Sequence, residues 1–227
     1  MIIIDKHNYD IQHFHDAQQI TQNIPFEQMK FEYAVNERLN HLKHSMEQVK
    51  IAGSILEFGV YQGTTINEIS SFFSEDTVHG FDSFEGLPEN WITRNKERYK
   101  NRIKRPKGFF ALDQLPEVNK NVKLWKGWFD QTIIKYKQEE NPKQIKFLHV
   151  DGDLYGSAKV IFDNLSHCII PGTIIVFDEF YPWGPTVYDT WADHEYLAFK
   201  EFVEKENRQF TIISRNNHQQ TCVKIIK

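Results

Sequence analysis

Ser54-Ile55-Leu56-Glu57-Phe58-Gly59-Val60-Tyr61-Gln62-Gly63-Thr64-Thr65 is the stretch whose reading decides the fold. Ile55, Leu56, Phe58 and Val60 make an apolar run of strand length, and Gly59 and Gly63 punctuate it. Thr64 or Thr65 then stands where a helix cap is expected, ahead of the apolar positions Ile66, Ile69, Phe72 and Phe73. Strand, glycine turn and helix in that order can hold an anionic or dipolar ligand. Glycine lets the ligand approach the backbone, and the first N–H groups of a helix have no partner within it.

Upstream, residues 26–49 carry Phe26, Met29, Tyr33, Val35, Leu39, Leu42, Met46 and Val49 at spacings of mostly three and four, the pattern of an amphipathic helix that ends at Gly53. Residues 1–25 are polar and dotted with His7, His13 and His15. Such an arm suits surface packing or a subunit contact, and it is compatible with a homodimer. Downstream, apolar runs at 77–81, 122–125, 145–150 and 173–177 read as further strands, with helices near 132–138, up to His167, and at 193–206. Residues 209–214 and 221–226 form a closing hairpin around Asn216-Asn217. Strands that alternate with helices pair mostly in parallel. The expected fold is therefore α/β: a doubly wound, mostly parallel seven-stranded sheet over residues 51–227, with a C-terminal antiparallel hairpin and an N-terminal helical extension over 1–50.

At 227 residues and 40% hydrophobic, the chain can bury one sizeable core. Its net charge of −4 argues against a general nucleic-acid binder. Asp5 and Lys6 cut short the opening Met-Ile-Ile-Ile, and no run of 18 apolar residues occurs, so a cytoplasmic protein without membrane attachment is expected. Cys168 and Cys222 lie far apart in apolar surroundings, as buried free thiols do. Residues 94–107 hold eight basic side chains against Glu97 alone, a local +7 that leaves −11 for the remainder. Basic runs are usually solvated faces. This one falls between the second and third strands, where a lid touching an anionic ligand is the alternative.

In an open parallel sheet, ligands bind beyond the carboxyl ends of the strands. Those ends carry Gly59–Gly63, Asp82, Gly127-Trp128, Asp151 with Asp153, and Asp178 with Glu179. Asp82 follows the glycine turn by about twenty residues, where an acidic side chain can accept hydrogen bonds from both hydroxyls of a ribose. The plainer reading is an Asp opening a turn. Trp128 or Phe129 can pack an adenine. Asp151, Asp178 and Glu179 are oxygen ligands of the kind a magnesium ion takes, and Asp153 is placed to act as a general base. Against these stand a helix cap for Asp153 and a loop contact for Glu179.

The series E-F-G-V-Y-Q-G-T-T, H-G-F-D-S-F-E-G-L-P, K-G-W-F, H-V-D-G-D-L-Y-G-S and I-I-P-G-T-I-I-V-F-D-E-F resembles the macrocin O-methyltransferase (TylF/MycF) family over roughly residues 50–205. The resemblance implies a Rossmann-like class I fold, with S-adenosylmethionine as cofactor. It implies cofactor contacts at Glu57, Gly59, Tyr61, Gly63, Thr64 and Thr65, ribose binding by Asp82 with Ser83 alongside, and an adenine contact near Trp128. It also places magnesium ligands at Asp151, Asp178 and Glu179, with Asp151 and Asp153 in the catalytic centre and Asp153 as base. One position departs: family members with an established sugar activity tend to have Asp-Asp where this chain has Asp178-Glu179.

The expected activity is O-methylation of a small-molecule hydroxyl, on a sugar or natural product, with magnesium. The alternatives are a metal-independent methyltransferase and a cofactor-binding module without catalysis. A dinucleotide oxidoreductase is disfavoured because the turn reads G-x-x-x-G and lacks G-x-G-x-x-G. Nucleic-acid methylation is disfavoured because no N/D-P-P-Y or P-C motif occurs. The loops at 84–110 and 180–195 should shape the acceptor site, with Tyr181, Trp183, Trp191, His194 and Glu195 as residues without an assigned role.

Overall fold

A strand covered on both faces must be apolar along nearly its whole length. Ser54–Phe58 meets that condition but for Ser54 and the buried Glu57, and becomes the central strand, β1, with Ile55 to Phe58 buried. The computed structural model describes residues 34–95, 99–180, 194–216 and 220–227. Around β1 the chain builds α1 (Ala34–Met46), α2 (Thr64–Phe72), β2 (Val78–Asp82), β3 (Trp91–Asn95), β4 (Tyr99–Arg105), β5 (Val122–Lys126) and α3 (Phe129–Glu140). It continues through β6 (Ile145–Val150), α4 (Tyr155–Leu165), β7 (Ile174–Phe177), α5 (Glu195–Lys205), β8 (Phe210–Arg215) and β9 (Thr221–Ile225).

The main sheet has seven strands in the order β5-β2-β1-β6-β7-β9-β8. Its first five are parallel, whereas β9 runs antiparallel to both β7 and β8. The strand order reverses between β1 and β6. Helices cover both faces. Leu42 and Met46 of α1 and Ile66 and Ile69 of α2 pack one face with Ile55, Val78, Phe147 and Ile174. On the other, Ile133 and Tyr136 of α3, Ile161 and Phe162 of α4, and Phe199 and Phe202 of α5 enclose Phe58, Phe81, Leu148 and Phe177. Leu42 and Met46 are each 1% exposed, and burying such a side chain contributes about 2 kcal/mol. That fixes α1 beside the ends of β6 and β7.

Several local expectations are revised. The buried face of α1 runs through His41, Leu42, Ser45 and Met46, with Leu39 only half buried. The N-cap of α2 is Gly63, in the left-handed region at φ 84°, and neither threonine caps the helix with its side chain. The basic segment forms a two-stranded antiparallel sheet, β3 with β4, separate from the main one. Both cysteines are free and buried, as expected. The arm with His7, His13 and His15, the first turns of the 26–49 helix, and Tyr181, Trp183 and Trp191 lie outside the described residues.

Candidate active site

Parallel ladders continue one residue past the strands and level their carboxyl ends. The Gly59 N–H donates to Phe81 O (2.9 Å), Gly127 N–H to Asp82 O (2.9 Å), Asp151 N–H to Phe58 O (2.8 Å) and Asp178 N–H to Val150 O (3.0 Å). Five strand ends, those of β5, β2, β1, β6 and β7, thus meet in one row. Gly59 is required there. Its φ is +96°, and a Cβ on it would lie 1.8 Å from the Asp151 carbonyl oxygen. Above the row opens a cavity of about 680 Å³.

Asp82 organises the glycine turn directly. Its Oδ2 accepts the N–H groups of Val60 (2.9 Å) and Tyr61 (2.8 Å), and its Oδ1 accepts that of Phe84 (2.7 Å). A carboxylate has about four acceptor positions, and these three bonds fill three of them. Asp82 thus opens a turn, the plainer of the two sequence readings, and it also lines the cavity. Ser83 Oγ accepts the Glu85 N–H (3.0 Å) and donates to Gly86 O (3.3 Å), closing that turn. Gly59, Tyr61, Thr64, Thr65, Ser83 and Trp128 line the same cavity. Gly63 and Glu57 do not. Glu57 lies beneath the floor, with Oε1 2.8 Å from His149 Nδ1, a pair the β1–β6 register sets side by side. Burial alone would lower the His149 pKa, but the Glu57 carboxylate raises it overall.

The acidic rim forms the opposite wall. Ligand oxygens of Asp151, Asp153 and Glu179 lie within 4.8 Å of one another, as do the ligand atoms of His149, Asp151 and Asp178. Asp153 does not cap α4. The cap position is Leu154, and Asp153 sits at φ +61°, a left-handed conformation that costs a non-glycine residue energy. Burial, with Asp151 and Asp178 adding repulsion, raises the Asp153 pKa well above the usual carboxylate range. Glu179 is raised by burial and by the neighbouring carboxylates, and its Oε2 is buried without a hydrogen-bond partner among the described residues. Burial lifts Asp151 to about 6 despite the adjacent Arg38 guanidinium.

Four residues around the rim were not assigned a role from the sequence. Arg38 of α1 hydrogen-bonds Asp151 Oδ2 and places Nε 2.8 Å from Asp178 Oδ1. The signal was there: Arg38 precedes His41 and Leu42 by three and four residues, which puts a cation on the buried stripe of the helix. Gln220 Nε2 donates to Asp178 Oδ1 (3.0 Å). Glu195, fully buried in the first turn of α5, accepts the N–H groups of Gly152 and Glu179, each at 3.1 Å, and so joins the loops after β6 and β7. Lys104 of β4 faces Glu179 and Asp153, with Nζ 3.5 Å from the Trp91 ring centre. Trp91 packs with Leu87, Leu154 and Phe110, which docks the small sheet beside Asp153.

The three expected ligands do not fall in one group: Asp151 converges with Asp178 and His149, and separately with Glu179 and Asp153. The all-oxygen group of Asp151, Asp153 and Glu179, with a buried Glu179 oxygen that has no hydrogen-bond partner among the described residues, fits a hard divalent cation. A glycine turn braced by a strand-end carboxylate, opening on a cavity of this size, fits a nucleoside cofactor.

Strand order, reversed final pair and strand-end site together define a methyltransferase-type Rossmann-like protein. The chain belongs to the macrocin O-methyltransferase (TylF) family, whose model matches residues 5–197. It is 26% identical over 166 residues to the 8-demethyl-8-(2,3-dimethoxy-alpha-L-rhamnosyl)-tetracenomycin-C 4'-O-methyltransferase of Streptomyces olivaceus; the match covers 63% of this chain and 60% of that protein. The chain thus spans about three-fifths of the length of that relative. Among solved structures, the fold is similar to CalS11, a calicheamicin methyltransferase, with TM-score 0.65 and 17% identity over 97% of this chain and 94% of that one. It is also similar to the O-methyltransferase NovP, with TM-score 0.54 and 20% identity over 84% and 80%. Among the described residues, no helix is long and apolar enough to cross a membrane.

Proposed function

We propose that this chain catalyses methylation of a hydroxyl group on a small molecule, with S-adenosylmethionine as donor and magnesium held by Asp151, Asp178 and Glu179. The supporting observation is that the Asp82-braced glycine turn and Asp153 with the acidic rim line one cavity. The turn and Asp82 bind and orient the nucleoside, with Trp128 beside the adenine. S-adenosylmethionine supplies a methyl group on a positively charged sulfur, and magnesium lowers the pKa of a hydroxyl bound to it. Asp153 accepts the hydroxyl proton; its raised pKa makes it the stronger base once ionised. Glu195 fixes the loop backbones that carry Asp153 and Glu179. Much of the rate enhancement then comes from alignment, which can supply about 7–11 kcal/mol. The family and the rhamnosyl acceptor in the name of the Streptomyces olivaceus relative favour a sugar hydroxyl.

A second reading, methyl transfer without metal, is favoured by Arg38, which already carries a positive charge between Asp151 and Asp178. Calorimetric titration with S-adenosylhomocysteine, followed by radiolabelled methyl transfer to rhamnosylated acceptors with magnesium or with EDTA, decides between them. Micromolar binding, with turnover lost in EDTA, is expected. Turnover unaffected by EDTA selects the second reading. Binding of NAD in place of S-adenosylhomocysteine rejects both.

A further inference from the structure

Arg38 stands where the rim takes its cation, and it is an imperfect tenant. Among the described residues its guanidinium makes an aligned hydrogen bond to Asp151 alone. The Nε contact to Asp178 is an ion contact at 2.8 Å without hydrogen-bond alignment, on an oxygen that Gln220 also engages. Glu179 Oε2, buried at the same rim, has no hydrogen-bond partner among the described residues. A planar guanidinium fork serves carboxylates lying in its own plane. A hard cation gathers oxygens from all around it, and the ligand atoms of Asp151 converge with those of Asp178 in one group and with those of Glu179 in another. The two cations cannot share Asp151 and Asp178 without strong repulsion.

We propose that Arg38 is the resident counter-ion of this rim and competes with a divalent cation for Asp151 and Asp178, so that metal entry displaces the guanidinium. This rests on the metal-ligand reading above and deepens it: loading the site becomes coupled to the position of an α1 side chain. The displacement has a route. The Arg38 side chain is 32% exposed and lines the cavity, while Leu42 and Met46 keep the helix anchored as it swings out. Metal affinity in this chain is thereby held down by an internal competitor, and Arg38 acts as a positioning residue.

The test is Mn²⁺ binding followed by electron paramagnetic resonance on the 227-residue chain with S-adenosylhomocysteine, for wild type and Arg38→Gln. Competition predicts Mn²⁺ affinity about tenfold tighter in Arg38→Gln. Equal or weaker binding in the variant overturns the competition and leaves the metal reading standing. No binding by either protein overturns the metal reading, and the competition with it. Should Arg38→Gln fail to fold, the wild type decides alone. The Arg38 Nε–H resonance, assigned by its loss in Arg38→Lys, must shift as Mg²⁺ is added. A resonance unmoved at saturating Mg²⁺ overturns the proposal.

Discussion

Asp153 sits at φ +61°, where asparagine is tolerated far better than alanine or a branched residue. Asp153→Asn therefore removes the proton acceptor with little backbone cost. It should lower kcat by about 10²–10⁴-fold and leave S-adenosylhomocysteine affinity unchanged, as steady-state kinetics and calorimetry will register. Gly59 is the opposite case, because its whole function is to lack a side chain. With φ at +96° and the Asp151 carbonyl 1.8 Å from any Cβ, Gly59→Ala must separate β1 from β6. It should cost about 2 kcal/mol or more in urea unfolding and weaken cofactor binding as well. The turn could be read from the glycines. The atom that each glycine accommodates could not.

At the scale of elements, β1, β2, β5, β6 and β7 were legible because each carries a short, largely apolar run that ends at turn residues. The β3–β4 sheet was not. Its basic side chains hide the alternation on which a strand reading depends, and its docking rests on Trp91, 2% exposed against Leu87 and Leu154. Trp91→Ala should remove most of that docking, locally worth about 3–5 kcal/mol. Because the pair is separate from the main sheet, the loss should stay local. Faster amide exchange in residues 91–105 and a raised KM for the acceptor are expected, with the urea midpoint of the main core little changed. A coincident drop in global stability would mean that the small sheet belongs to the core.

Across the whole molecule, α1 is tied to the far edge of the main sheet through His41, whose Nε2 lies 3.1 Å from Ser214 Oγ of β8. Burial lowers its pKa from 6.5 to about 4, with His44 and His149 adding repulsion and the Ser214 contact and Asp178 opposing. The folded state thus resists protonation of His41 while the unfolded chain accepts it. His41 leaves stability intact above pH 6.5, and stability falls as pH drops from 6.5 toward 4, by up to about 3 kcal/mol. Urea midpoints measured at pH 7 and pH 5 should separate more in wild type than in His41→Gln. Equal separation would place the acid sensitivity elsewhere.

By itself the sequence determined the alternation of strands and helices and which acidic residues stand at strand ends, because both follow from local periodicity and from where apolar runs stop. Only the tertiary structure decided that Arg38, 113 residues before Asp151, neutralises it, and that Glu195 stitches two loops together. Charge pairing and hydrogen bonding act through space, and the partner of a buried carboxylate is chosen by packing, at a separation along the chain that no local pattern encodes.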